Sequence, residues 1–350
     1  MKKILILFLL IPFLVRAYST SATSAILMDL DSGRIIYANN KDLVRSVASI
    51  SKIMTAVVAI ESDKLDEIVT VGSEIKSAYG SGIYIKEGEE LTLRDLLYGL
   101  MLRSGNDAAA ELAYQVGGSN EGFSLLMNNL AKDIGMKNTN FINSSGLEDG
   151  VNANISTVYD MALLSSYAIK NKDYREIVGT KKITVKTNFK TYIWHNKNKL
   201  LTSYEYCTGG KTGFTKRARR TLVTNASNDN VNLTIVTFND GNDFEDHKDL
   251  YEKYFDRLHN YKILSKGRID TIYDNTYIDK DYYMSLTKDE YKGIDVSINY
   301  FDENVSNIVG EVVVKLGGKE YFKTNIIQKE EKLKEEKIWF IRLIDKIFGR

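Results

Sequence analysis

Apolar positions change period several times along this chain, and each change marks an element. Behind Lys2 and Lys3 runs an unbroken apolar stretch over 4–15. Residues 25–30 and 34–38 are two short apolar-rich runs separated by Asp31-Ser32-Gly33, the composition of a tight turn, and predict a β-hairpin. From 49 to 61 there is neither glycine nor proline, and Ile53, Ala56, Val57 and Ile60 recur at helical spacing. This predicts a buried helix beginning at a serine. Residues 92–170 read as helical segments over 93–102, 107–116, 121–134 and 157–169, divided by glycine- or asparagine-containing breaks. After 180 the period shortens to that of strands, over 182–187, 221–225 and 233–238. A last helix over 243–261 places Phe244, Leu250, Tyr251, Tyr254, Phe255 and Leu258 on a face suited to covering a sheet.

A hairpin first, helices in the middle and strands last imply an α+β fold in which distant segments share one sheet. The expected domain covers 23–262, and a smaller, tyrosine-rich β-domain follows over 263–328, with 310–315 and 320–327 flanking Leu316-Gly317-Gly318-Lys319 as a hairpin. That second domain shows no nucleophile or metal motif and is expected to be a spacer or docking module. Over 329–350 the pattern becomes an amphipathic helix, with Leu333, Phe340, Ile341, Leu343, Ile344, Ile347 and Phe348 on one side. Arg342 and Asp345 interrupt the apolar face, so the expectation is a helix lying in a membrane interface, with packing on the protein itself as the alternative. Residues 1–22 read as an export signal, because the apolar run is too short for a ~30 Å hydrocarbon core and small residues at Ala17, Ser19 and Ala22 offer cleavage positions. The protein is thus expected outside the cytoplasm, peripheral on the outer face of the cytoplasmic membrane.

Composition narrows this little further. The 43% apolar content of 350 residues suffices for a full core, and a net charge of +1 from 47 basic and 46 acidic residues gives no field that would favour nucleic acid. Cys207 is the single cysteine, so no internal disulfide forms, and a buried inert thiol is its expected role. His195, His247 and His259 fit no zinc motif, and no G-x-S-x-G elbow accompanies His195, which is expected to line a cleft or cap a turn. Neither metal nor cofactor is expected.

Three short strings carry chemistry. In Ser49-Ile50-Ser51-Lys52, serine and lysine are three apart, one turn along a helix face. A serine hydroxyl needs a neighbouring base, and lysine supplies one only where burial or nearby cations populate its neutral form. Lys211, if close, is such a cation. Ser51 is a rival nucleophile without a lysine three positions on. Ser104-Gly105-Asn106 falls in a break between helices, where Ser104 can pass a proton and Asn106 can hydrogen-bond both Lys52 and a substrate amide. Lys211-Thr212-Gly213 sets a cation and a hydroxyl beside a glycine strand edge, suited to a peptide ending in a free carboxylate. The amides of Ser49 and Phe214 complete an oxyanion hole. Each string also has a plain reading: a capping serine before a surface lysine, Asn106 and Asp107 as helix caps, and a turn before a surface strand.

Together, in this order, the strings resemble the penicillin-binding proteins and serine β-lactamases. From 25 to about 238 the chain resembles more narrowly the low-molecular-mass D-alanyl-D-alanine carboxypeptidases, through residues 88–97 (GEELTLRDLL), 104–113 (SGNDAAAELA), 141–147 (FINSSGL), 156–164 (STVYDMALL) and 196–201 (NKNKLL). The resemblance implies a transpeptidase-like domain, an antiparallel sheet with a helical subdomain. It also implies Ser49 as nucleophile, Lys52 as base, Ser104 and Asn106 as supporting residues, and Lys211 and Thr212 as binders of the terminal carboxylate, with Gly213 and Phe214 beside them. The implied substrate is the peptidoglycan stem pentapeptide, with β-lactam antibiotics as covalent inhibitors. Two readings compete: a serine β-lactamase, with Glu148 and Asn152 faintly matching a deacylating string but expected in an exposed loop, and a catalytically silent wall-binding protein. The chain departs from the family at Thr208, and again in the basic run 216–220, where Arg219 stands at a common glycine position.

Overall fold

A computed structural model describes residues 20–305 and 307–329, so the proposed export signal over 1–22 lies almost wholly, and the amphipathic tail over 329–350 all but its first residue, outside the described residues. The predicted hairpin forms, with strands Ser24–Asp29 and Ile35–Asn39, and it joins strands contributed from the far end of the first lobe. Ser24 pairs with Phe238, so the five strands run in the order Ile35–Asn39, Ser24–Asp29, Val231–Phe238, Arg219–Asn228, Cys207–Thr215, every neighbour antiparallel.

The central strands are buried on both faces, and their polar residues Thr221, Thr224, Asn225, Thr234 and Thr237 are buried along with the apolar ones. Ile26, Met28, Val223 and Val236 point into a core built with helices Lys52–Ile60, Leu93–Arg103 and Val158–Ala168. Leu27, Leu233 and Ile235 point the other way, against Leu250 and Tyr251 of helix Asp243–Phe255. The helices of the middle block begin where side-chain caps dictate: Thr92 and Asp95 form a capping box, and Ser119 and Thr157 cap the helices that follow them.

Several elements differ from the sequence reading. The covering helix predicted over 243–261 stops at Phe255, and the chain re-forms as strand His259–Leu264, paired with Tyr282–Leu286 of the second lobe. The structure adds helix Lys172–Gly179 and strand Thr191–His195, the latter paired with Lys182–Lys186. The second lobe is β-rich, a five-stranded sheet in the order Gly267–Arg268, Thr276–Ile278, Lys319–Gln328, Ile308–Leu316, Ile294–Val305, and Gly317 and Gly318 turn the expected hairpin at positive φ.

A polar latch joins the lobes. The buried Asp29 carboxylate accepts the Ser285 amide and hydroxyl, both at 3.0 Å, while Arg34 donates to the Ser285 carbonyl and to Glu290, each at 2.8 Å. Among the described residues no helix is long and apolar enough to cross a membrane.

Candidate active site

Ser49 sits in a single 3-10 turn, Ala48–Ser51, from which helix Lys52–Ile60 continues. The residue before it, Ala48, is buried at φ 52°, a left-handed conformation that costs a residue with a Cβ on the order of 1 kcal/mol. Two neighbours hold it there. Ser51 Oγ donates to the Ala48 carbonyl at 2.6 Å, and Gly146 packs on the same carbonyl so closely that an added Cβ would collide with it. Ser51 is thereby a brace behind the turn, fully buried, and not the cleft serine.

Lys52 is fully buried one turn on. Its Nζ donates to Ser49 Oγ at 3.2 Å, to Asn106 Oδ1 at 2.7 Å and to the Ser145 carbonyl. Burial, and after it the charge of Lys197, lowers the amine to about 7, with Asp107 pulling upward. As an ammonium it spends all three N–H bonds on these acceptors. As a neutral amine it keeps Asn106 and Ser145 and turns its lone pair on the Ser49 hydroxyl, the arrangement a general base requires.

The other strings converge on the same point. Asn106 opens helix Asn106–Gly117, fixed by its amide on the Ser81 carbonyl at 2.8 Å and its Nδ2 on the Tyr79 carbonyl at 2.5 Å. The capping reading of this string is corrected: Gly105 holds the N-cap position, and the Asp107 carboxylate instead accepts the Ile83 and Tyr84 amides at 3.0 and 2.6 Å. Ser104, left-handed at φ 62°, ends the preceding helix and lines a cleft of about 420 Å³ together with Ser49, Ser81, Lys197, Thr212 and Phe214.

Lys211, Thr212 and Gly213 do not precede a strand but lie inside one, Cys207–Thr215, the edge of the main sheet. Gly213 presses on the nucleophile turn, and a Cβ there would stand 3.0 Å from the Ser49 amide nitrogen and strike the Thr221 hydroxyl. Lys211 is buried, donates from Nζ to the Thr212 carbonyl at 2.7 Å, and is lowered well below the ordinary lysine range by burial, then by Lys52 and Lys197. Phe214 stands exposed at the rim.

Lys197, Ser145 and Arg220 are the site neighbours that residue types alone did not assign. Lys197 donates to Ser81 Oγ at 3.2 Å, and the strings NKNKLL and FINSSGL that contain Lys197 and Ser145 were the available signal. Remaining candidates fall away from the cleft. His195 is an exposed strand residue whose carbonyl accepts Arg103, and His247 is buried between Thr224 and Thr237, its pKa lowered by burial to about 3. The Cys207 thiol is buried and pushed up to about 11. Glu148, expected in an exposed loop, is half-buried, and its Oε1 accepts Ser46 Oγ at 3.1 Å and Thr215 Oγ1 at 2.5 Å. Among the described residues no group of acidic, histidine or cysteine side chains is placed to hold a metal ion.

Fold and site together have the form of a serine acyl-transfer enzyme, with Ser49 Oγ 3.2 Å from a buried lysine amine. A model of the D-alanyl-D-alanine carboxypeptidase family, Peptidase_S11, matches residues 12–242, and the chain belongs to that family of serine peptidases. Among its relatives, DacF of Bacillus subtilis is 34% identical over 224 residues, 62% of this chain, and that match spans only 57% of the relative's length. DacA of Haemophilus influenzae is 28% identical over 341 residues, covering 87% of this chain and 84% of the relative. The solved structure of penicillin binding protein 5 from Haemophilus influenzae superposes with a TM-score of 0.76 at 26% identity, over 90% of this chain and 99% of that one. The whole two-lobed arrangement is therefore shared, not only the catalytic lobe.

Proposed function

We propose that this protein is a serine D-Ala-D-Ala carboxypeptidase that removes the terminal D-alanine from peptidoglycan stem pentapeptides. The observation that carries the reading is the buried Lys52 amine, lowered to about 7 and held by Asn106 and Ser145 with Ser49 Oγ as its third neighbour. Neutral Lys52 takes the proton as Ser49 Oγ attacks the carbonyl carbon of the penultimate D-alanine. The amides of Ser49 and Phe214 meet the oxyanion, where one donor is typically worth ~3 kcal/mol in the transition state. Collapse breaks the C–N bond, the proton reaches the leaving amine by way of Ser104, and water then hydrolyses the ester. Thr212 faces the terminal carboxylate, and Lys211, buried behind the strand, holds the Thr212 carbonyl. Penicillins acylate the same serine.

The reading includes export and a membrane-surface position through residues 329–350. Removal of those residues should release the mature protein from membranes without loss of activity on a soluble peptide. Incubation of residues 23–350 with a pentapeptide ending in D-Ala-D-Ala, followed by mass analysis, tests the activity: loss of one alanine supports it, and an unchanged peptide refutes it. Nitrocefin separates the β-lactamase alternative, which requires many turnovers instead of a stable acyl-enzyme. The pairing of Glu148 with Ser46 and Thr215 favours the carboxypeptidase reading, since it gives that carboxylate a structural role.

A further inference from the structure

A carboxypeptidase must recognise a terminal carboxylate, and the lysine of the third string is poorly placed to touch one. Lys211 is fully buried with its Nζ on the Thr212 carbonyl. Strand parity explains why. Lys211 pairs with Val223, which packs in the helix core, so Lys211 and Gly213 face that core and the nucleophile turn. Thr212 and Phe214 face the opposite side of the sheet. Their register partners are Leu222 and Arg220, and Thr224, two residues on from Leu222, hydrogen-bonds His247 and Tyr251 of the covering helix. Thr212, Phe214 and Arg220 therefore share one face, at the N-terminal end of helix Asp243–Phe255.

Arg220 lines the cleft with Ser49 and Thr212, and its side chain is 46% exposed. It belongs to the basic run 216–220, one of the two places where the chain departs from the family. In the fold it is clamped. Its Nε donates to Asp243 Oδ2 at 3.1 Å, its Nη2 donates to Asp243 Oδ1, and the guanidinium lies 5.6 Å from the Phe244 ring centre. Both bonds use one edge of the fork and leave Nη1 for a ligand. Asp243 is itself buried, so the cation is fixed before any substrate arrives.

We propose that Arg220, held by Asp243, pairs directly with the substrate's terminal carboxylate, with Thr212 Oγ1 as a second contact, and so sets the preference for a free C-terminus. This deepens the D-Ala-D-Ala carboxypeptidase reading and rests on it. Arginine suits the task because its planar donors match a carboxylate in geometry as well as charge.

The test compares two peptides, one ending in D-Ala-D-Ala and the other its C-terminal amide, by kcat/KM for release of the last residue. Wild-type protein should prefer the acid. Arg220→Gln should lower kcat/KM for the acid by roughly tenfold to a hundredfold, the worth of a charge-assisted hydrogen bond, largely through KM, and leave the amide nearly unchanged. Arg220→Lys should retain part of the preference. Because Arg220→Gln strands Asp243, the double variant Arg220→Gln/Asp243→Asn removes both charges, and it should also lack the preference. If both glutamine variants keep the wild-type ratio of acid to amide, or if the wild type shows no preference for the acid, Arg220 is not the carboxylate receptor. If the wild type releases nothing from either peptide, the carboxypeptidase reading itself falls and takes this inference with it.

Discussion

Protonation of Lys52 should control acylation in a way that the geometry makes quantitative. With its pKa lowered from 10.5 to about 7, chiefly by burial, Lys52 is neutral in about half of the molecules at pH 7. An ordinary lysine would be neutral in roughly 3 of 10,000. The lowered pKa thus makes the base ~1,600-fold more available at pH 7, equivalent to about 4 kcal/mol at ~1.4 kcal/mol per factor of ten. The active form is the deprotonated one, so acylation should rise with pH, approach a plateau above about pH 8, and fall close to tenfold per unit below about pH 6. Lys52→Arg keeps charge and approximate reach but cannot give up its proton, so it should remove the rising limb along with nearly all acylation. The assay is the second-order rate of covalent labelling of residues 23–350 by a fluorescent penicillin, from pH 5 to 9 at constant ionic strength, with peptide mapping of the adduct to Ser49. A flat profile in the wild type, or substantial labelling of the arginine variant, would show that the lysine acts through charge alone and refute the general-base assignment.

Other consequences follow from single contacts. Gly213→Ala places a Cβ 3.0 Å from the Ser49 amide nitrogen and against the buried hydroxyl of Thr221 on the paired strand, so it should cut acylation by at least tenfold and lower the melting temperature as well. Arg34→Ala leaves Glu290 without its ion-pair partner and breaks three hydrogen bonds across the lobes, at a cost of about 2 kcal/mol. Its signature is earlier proteolysis near the junction, and protection equal to wild type would count against a latch. Glu111 is raised from 4.5 to about 7 by burial and then by its hydrogen bond with Glu74. Its folded-state pKa lies above the unfolded value, so this contribution is full below about pH 4.5 and is lost as pH rises to about 7. Thermal melts across that window should show the decline in wild type, and Glu111→Gln should flatten it.

Ser104→Ala and Lys197→Gln separate two further roles. The first should slow penicillin labelling and D-alanine release alike, because in both acylations the C–N bond breaks and the proposed Ser104 relay protonates the departing nitrogen. The second removes the cation that helps to lower Lys52, so its acylation profile should move to higher pH. An unmoved midpoint in Lys197→Gln would leave burial as the whole cause.

Much of this site is local and therefore visible in the chain itself. A serine and a lysine three apart on a helix share a face whatever the rest of the fold does, and the hairpin at Asp31-Ser32-Gly33 follows from turn chemistry. The helical block likewise rests on caps such as Thr92 with Asp95. What distance along the chain separates, only tertiary packing could join. Lys52 meets Asn106 and the Ser145 carbonyl across 54 and 93 positions, and its burial, the main reason for its basicity, is a property of the whole core. Whether Lys211-Thr212-Gly213 was a turn or a strand could not be read from period, because glycines interrupt the alternation; pairing with Arg219–Asn228 decided it. That same register turned Lys211 inward and set Arg220 beside Phe214, so which of these two cations lines the cleft was fixed by the parity of a strand and by Asp243 on a helix that begins 23 positions away.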